Sequence, residues 1–277
     1  MSAPPLAILC CAGDQPLEVA KAARANGREP FLIPVQGVAT ADFAAFANEP
    51  WRLGALGALF ATLRSRGVGE IALIGAMTRP DWRDLRLDWG ALKRADDIAK
   101  MFNGGDDSLL RGVIALIERE GVKVVGALDI APALAAAQGP AGRVQPVAED
   151  EAAAKIGFAL LEAISPFDVG QSCVVMGGRV VAVEGAEGTD AMLQRVADLR
   201  AAGRLRAKGA AGLLVKAPKS GQDLRVDLPT IGAKTIAGAK AAGLGGLALA
   251  SGKVLIADRA ATLAAADAAG LFVFGAR

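Results

Sequence analysis

The chain has 277 residues, room for two ordinary domains with a full core, and 53% of it is hydrophobic while only 4% is aromatic. Thirty-one basic residues against 29 acidic ones leave a net charge of +2, which argues against a broad polyanion-binding surface and leaves nucleic acid off the list of expected partners. With no His and no Tyr, a Ser-His-Asp triad, a Cys-His dyad and a His-ligated zinc or iron site are excluded.

Any acid–base chemistry near neutral pH must then come from Asp, Glu, Lys, Cys or metal-bound water. The first fourteen residues, MSAPPLAILCCAGD, lack a basic leader, and their apolar stretch is too short for a signal peptide or a span. The Ala/Gly-rich stretch 237–250 is interrupted by Lys240 and four glycines, so contact with a membrane is expected from the surface alone. Cys10, Cys11 and Cys173 form no CxxC spacing; buried thiols in a reducing cytoplasm are expected.

In chain order, Leu6–Cys11 reads as a strand, Pro16–Asn26 as a helix stopped by Gly27, and Pro30–Val35 as the next strand. A helix over Leu53–Arg66, a strand over Glu70–Ile74, helices near Trp89–Met101 and Ser108–Glu120, and a strand at Val122–Val125 follow. Strand and helix in alternation predict a parallel sheet with covering helices, a Rossmann-like domain over residues 1–140. Pro132, Gly139, Pro140, Gly142 and Pro146 suit a connection, which places the divide near residue 140.

Residues 141–277 predict a mixed α/β domain, so the fold class is α/β with two domains. Glu149–Ile164 is amphipathic. Ser172–Met176 and Arg179–Glu184 read as a hairpin, because Gly177 and Gly178 supply the positive φ of a two-residue loop. A helix over Thr189–Ala201, a strand at Gly212–Lys216 and a helix over Ala233–Ala242 come next. Gly246–Ala250 with Lys253–Ala257 suggests a second hairpin, before a helix over Arg259–Ala269 and a strand at Leu271–Phe274.

Two familiar motifs fail. The turn Ala12-Gly13-Asp14 carries no GxGxxG, which disfavours a dinucleotide-dependent oxidoreductase, although such a turn can still offer backbone N–H groups to a phosphate. GLGGLALASGKV has Leu247 where a Walker A glycine belongs and Val254 where Ser or Thr should follow the lysine. The pairs Asp96-Asp97 and Asp106-Asp107 read as solvated or capping charges, or alternatively as magnesium or ribose contacts.

Two other segments carry chemistry. In KAPKSGQDLRVDLPTIG (Lys216–Gly232) the prolines and Gly221 disfavour a helix. An extended chain would put Asp223, Arg225 and Asp227 on one face, with Leu224, Val226 and Leu228 behind. Two carboxylates flanking a guanidinium can hold a hard cation and a phosphate together, or else form a cross-paired edge strand. In VEGAEGTDAM (Val183–Met192), Thr189 is a plausible helix N-cap, and Glu184, Glu187 and Asp190 surround it. Acids beside an anion-favouring helix start make sense if a divalent metal bridges them to a phosphate; simple capping is the other reading. Together the segments point to magnesium-assisted hydrolysis of a phosphate compound, with Lys216 and Arg225 neutralising charge.

DVGQSCVVMGGRVVAVEGAEGTDAM (168–192) followed by LLVKAPKSGQDLRVDLPTIG (213–232) resembles the LpxI-type UDP-2,3-diacylglucosamine hydrolases. LAILCCAGDQPLEVAKAARANG, IALIGAMTRP (71–80) and GGDDSLLRGV (104–113) are similar to that family's first domain; Cys11-Ala12-Gly13 departs from its usual run of glycines. The resemblance implies a cytoplasmic, Mg²⁺-dependent pyrophosphatase of Gram-negative lipid A synthesis, with peripheral contact to the inner membrane. Its substrate would be UDP-2,3-diacylglucosamine and its products UMP and 2,3-diacylglucosamine 1-phosphate (lipid X). A non-catalytic nucleotide- or glycolipid-binding protein is the alternative, and the oligomeric state is open, a homodimer included.

Carried onto matching positions, the resemblance implies Asp223, Asp227, Arg225 and Lys216 as catalytic, and Glu187, Asp190 and Asp223 as metal ligands. Gly13, Asp14, Gly75, Ala76, Asp106, Asp107, Gln171, Thr189, Gln222 and Thr230 would bind substrate.

Overall fold

The computed structural model describes residues 3–81, 83, 85–102, 106–206 and 209–276. The chain is α/β and divides into two compact units, Met1–Pro132 with Arg225–Asp227, and Ala133–Leu224 with Leu228–Arg277. The two units part after Pro132, several residues before 140. Bridges Ala135–Leu255 and Gln138–Gly275 pair the intervening residues with strands of the second unit.

The first unit contains β1 (Leu6–Cys10), α1 (Gln15–Ala25), β2 (Phe31–Pro34), α2 (Leu56–Ser65), β3 (Glu70–Ile74), α3 (Trp89–Leu92), α4 (Ala95–Phe102), α5 (Asp106–Arg119), β4 (Lys123–Val124) and α6 (Ala127–Ile130). Its strands form a parallel sheet in the order β2-β1-β3-β4. Every residue of β1 is buried, as a parallel strand covered on both faces must be. Ala7, Leu9, Ile33 and Ile71 join Leu59, Phe60 and Leu63 of α2 and Ile114 and Ile117 of α5 in one core. On α1, Val19, Ala20 and Ala23 are buried, and this helix packs on β1.

The second unit contains β5 (Gly139–Pro140), α7 (Ala148–Ile164), β6 (Ser172–Met176), β7 (Arg179–Val183), α8 (Gly188–Ala201), β8 (Leu213–Lys216), β9 (Thr230–Ile231), α9 (Ala233–Ala241), β10 (Gly246–Ala250), β11 (Leu255–Ile256), α10 (Arg259–Ala269) and β12 (Phe272–Ala276). Five strands form a mixed sheet in the order β12-β10-β8-β6-β7. The period-2 alternation of strand side chains sorts this core into two layers. Val174, Met176 and Leu214 pack with Met192, Leu193 and Ile236 of α8 and α9 on one face. Cys173, Val175, Leu213 and Val215 pack with Ala154 and Leu161 of α7 on the other.

The hairpin β6–β7 is present, with Gly177 at φ 58° and Gly178 at φ 73°. The second expected hairpin is not. β10 pairs with β8 and β12, whereas β11 pairs with β9. The turn between β10 and β11 leaves the sheet as Gly252 N–H donates to the Ala136 carbonyl, 2.8 Å. The three cysteines are free and buried. Burial pushes the Cys10 and Cys173 thiols up to about 12 and Cys11 to about 11, so all three are inert at neutral pH. Among the described residues no helix is long and apolar enough to cross a membrane.

Candidate functional site

In the first unit the chain leaves β1 toward β2 on one side and passes to β3 on the other. The C-terminal ends of β1 and β3 are therefore the switch point of the sheet, where open α/β sheets place their ligands. A cavity of about 340 Å³ lies there, with Cys11, Gly75, Ala76, Arg79, Leu110 and Asp227 in its wall. Gly75 sits at φ 102°, and a Cβ on it would stand 2.6 Å from the Ala12 carbonyl oxygen. Reciprocal bonds tie the two loops together: Ala12 N–H to the Ala76 oxygen at 3.0 Å and Ala76 N–H to the Ala12 oxygen at 2.9 Å. Gly13 N–H donates to Thr40 Oγ1, 2.9 Å.

The amides of Ala12, Gly13 and Ala76 are thus engaged within the fold. Asp14 is exposed and stands at the N-cap of α1 without a side-chain capping bond. Asp106 and Asp107 open α5, but their side chains lie outside the described residues, as do Gly104 and Gly105.

The expected extended face over 223–227 is absent. Leu224–Val226 form a turn, which breaks the two-residue alternation. Val226 packs against the core of the first unit, and Arg225 donates to Glu118 Oε1 at 2.9 Å. Asp223 belongs to the second unit, whereas Asp227 lies in the wall of the switch-point cavity.

In the second unit a partly buried polar group forms at the ends of β6 and β8. These strands are antiparallel and pair Ser172 with Lys216 directly, so both side chains project to the same face. Both residues are buried, Ser172 at 0% and Lys216 at 6% exposure. Lys216 Nζ donates to Thr189 Oγ1 at 2.8 Å, Thr189 Oγ1 donates to Glu184 Oε1 at 3.1 Å, and Ser172 Oγ lies 3.3 Å from Thr189.

Proton directions follow from chemistry. An ammonium only donates and an ionised carboxylate only accepts, so the Thr189 hydroxyl proton goes to Glu184. Lys216 occupies one Thr189 lone pair and the Ser172 proton takes the other. Thr189 is saturated. Glu184 continues the strand ladder, its N–H donating to the Ser172 carbonyl at 2.9 Å. Its side chain lies over Gly170, where a Cβ would approach Glu184 Cγ to 2.5 Å. Glu184 Oε2 is buried and has no hydrogen-bond partner among the described residues. Leaving such an oxygen unpartnered costs roughly 1–3 kcal/mol, and more for a charge, so a water or a bound ligand has to satisfy it.

The expected metal trio is not gathered. Among the described residues no three carboxylate, cysteine or histidine side chains form a metal-binding group. Glu187 is the N-cap residue of α8, so Thr189 sits inside the first turn rather than capping it. Glu187 accepts from Arg195 at 2.8 Å, and its own backbone N–H together with that guanidinium holds its carboxyl below the ordinary range. Asp190 pairs with Lys234 at 2.6 Å. Both acids are exposed and turned to surface cations.

The remaining expected residues have local partners. Gln222 Oε1 accepts from Lys219 N–H at 2.8 Å, Thr230 Oγ1 donates to the Leu228 carbonyl at 3.1 Å, and the Gln171 carbonyl accepts from Ala217 N–H at 3.0 Å. Sequence reasoning missed Ser172 and gave Glu184 no individual role. The one available signal was a serine and a lysine at the ends of otherwise apolar strands, SCVVM and LLVK.

Family models for the LpxI N-terminal domain and the LpxI C-terminal domain match residues 5–134 and 137–274. The chain belongs to the LpxI family. A relative from Caulobacter vibrioides, UDP-2,3-diacylglucosamine pyrophosphatase LpxI, is 38% identical over 270 residues, covering 98% of this chain and 96% of its own. Solved structures overlap only loosely with this LpxI chain. A GalE-like L-threonine dehydrogenase from Cupriavidus necator covers 52% of this chain and 44% of its own, with 19% identity and a TM-score of 0.28. A partial-consensus L-threonine 3-dehydrogenase covers the same shares at 21% identity and a TM-score of 0.26. Neither bears on function.

Proposed function

We propose that this chain hydrolyses the pyrophosphate of UDP-2,3-diacylglucosamine to UMP and 2,3-diacylglucosamine 1-phosphate, with Mg²⁺ as cofactor. The observation that carries the reading is the Ser172–Thr189–Glu184–Lys216 group, its serine and lysine buried and its threonine and glutamate half-buried: an ammonium and a carboxylate oxygen with no partner among the described residues, in a chain without histidine. The near full-length likeness to a pyrophosphatase supplies the substrate class.

The residues fit a magnesium ion in one specific way. Mg²⁺ takes one or two carboxylates and completes its shell with water and substrate phosphate oxygens, so it does not require a three-acid cage. Glu184, through its unpartnered Oε2, suits it better than Glu187 and Asp190, which are held by Arg195 and Lys234. When bound, the ion would neutralise charge on the diphosphate.

The chain's own side chains do the rest. Water adds to one phosphorus, the bridging P–O bond breaks, and the bond electrons leave with the departing phosphate while the water gives up a proton. Lys216, fixed by Thr189, faces the charge that develops on the phosphoryl oxygens, which is where such catalysis gains most. Asp223 or Asp227 accepts the water proton. Gly75 and Ala76 shape a binding cavity in the first unit. Since the substrate is acylated, the protein meets the bilayer from its surface.

Assaying UMP release by Asp223→Ala and Asp227→Ala proteins tests the assignment. One of them is expected to lose at least about 100-fold in kcat, the range for removing a general base, while still binding substrate. Full activity in both would refute it.

A further inference from the structure

We propose that Ser165 and Glu162 are positioning residues that splint the segment 217–222 and so hold Asp223 in a fixed place relative to Lys216; this rests on the reaction proposed above, with Asp223 as the carboxylate that accepts the water proton. The segment starts where β8 ends at Lys216, and Asp223 follows it directly. Among the described residues, 217–229 form no strand or helix, so no regular backbone ladder fixes Asp223. Its position is set by turns and side-chain bonds instead.

Those bonds converge on one short stretch, the end of α7 and the turn after it. Ser165 closes α7 and is buried. Its Oγ accepts from the Ser220 N–H at 2.5 Å, and Ser220 Oγ donates to Glu162 Oε1 at 2.6 Å. Glu162 and Ser165, spaced i, i+3 on one face, thus grip the backbone and the side chain of a single loop residue. Beside them Lys219 Nζ donates to Asp168 Oδ1. Asp168 takes φ 54°, and outside glycine such a conformation persists only where its surroundings over-determine it. At the near end of the segment, Ala217 N–H donates to the Gln171 carbonyl at 3.0 Å.

From Ser220 the hold passes to Asp223. Lys219 N–H donates to Gln222 Oε1 at 2.8 Å while Gln222 N–H donates to the Lys219 carbonyl at 3.2 Å, which closes 219–222 into one small turn. Asp223 is the next residue. The splint is itself tied to the strand that carries Lys216. There α7 packs on β8 so closely that a Cβ on Gly157 would stand 2.4 Å from Val215 Cγ2. Lys216 and the loop that bears Asp223 are therefore referred to the same helix, all within the second unit. Phosphoryl transfer depends on orientation, and misplacing a reacting group by about 1 Å can cost roughly 100-fold in rate.

Steady-state kinetics of UMP release by the whole protein, with and without Asp223→Ala, tests this. Ser165→Ala is expected to lower kcat by roughly 10- to 100-fold and Glu162→Ala by roughly three- to tenfold, both with KM within about twofold of wild type. Glu162→Gln keeps an acceptor for the Ser220 hydroxyl and should recover most of the rate. Added to Asp223→Ala, each change should cost less than about twofold, because the residue it places is gone. Circular dichroism melts check that the variants fold. Glu162 is exposed, so its variants decide the matter if Ser165→Ala does not fold.

Glu162→Ala and folded Ser165→Ala proteins that turn over like wild type would overturn the positioning role. Losses that persist undiminished beside Asp223→Ala would overturn it as well, since they mark a structural effect. An Asp223→Ala protein with full activity would overturn it and leave Asp227 as the proton acceptor. Wild-type protein that binds UDP-2,3-diacylglucosamine yet releases no UMP would overturn the functional reading, and the positioning role with it.

Discussion

Exchanging Lys216 for methionine is expected to lower kcat for UMP release by roughly 100- to 1,000-fold, the loss seen when one preorganised donor to a developing charge is removed. Lys216 is buried, is anchored to Thr189 Oγ1 at 2.8 Å and stands across from Ser172 at the end of the mixed sheet. In the proposed reaction its ammonium is held before substrate arrives, so no reorganisation would be needed as phosphoryl charge builds. Methionine keeps the stem and the packing but removes the charge, so the loss should fall on kcat more than on KM. Lys216→Arg should recover part of the rate, since it restores the charge on a bulkier group. Steady-state kinetics with circular dichroism as the folding check decides it. A methionine variant that turns over like wild type would make Lys216 a structural residue.

Gly75→Ala should have the largest effect in the first unit. At φ 102° an alanine is strained, and its Cβ would lie 2.6 Å from the Ala12 oxygen and 2.9 Å from the Cys11 carbonyl carbon, all backbone that cannot step aside. The strain is roughly 1–3 kcal/mol before any clash, and each kcal/mol lowers Tm by about 2–4 °C in a chain of this size. A fall of roughly 4–10 °C is therefore expected, with weakened substrate binding, because the same residue walls the switch-point cavity. Gly13→Ala separates the two causes. Gly13 also has positive φ, 94°, but nothing among the described residues lies within 4 Å of its would-be Cβ, so its loss should be about 1 kcal/mol. Equal melting temperatures for the two variants would show that the close approach at Gly75 does not matter.

The strands and helices of the first unit were legible because LAILC, FLIP and EIALI are short apolar runs separated by amphipathic helices. The β6–β7 hairpin was legible because Gly177-Gly178 has one use between two apolar strands. DLRVD was misread for a physical reason. Its alternation fits a strand, but Val226 gains more by entering the core of the first unit, a contact with no local signature. The pairing of β11 with β9 instead of β10 was likewise set by distant residues.

The site divides in the same way. Lys216 and Thr189 could be picked out as charge and hydroxyl near glycine-rich turns. The position of Glu184 depends on the ladder bond to Ser172 and on the small residue at Gly170, and neither shows in its own segment. Glu187 and Asp190 look equivalent to it in sequence. Only the fold reveals that they face Arg195 and Lys234.

The account is tested most directly by incubating the purified protein with UDP-2,3-diacylglucosamine and separating the products, with Mg²⁺ and then with chelator in excess. It predicts UMP and the acylated sugar 1-phosphate in equal amounts with the ion, and neither after chelation. Intact substrate under both conditions, from a folded protein that binds it, would contradict the account and leave a binding protein in its place.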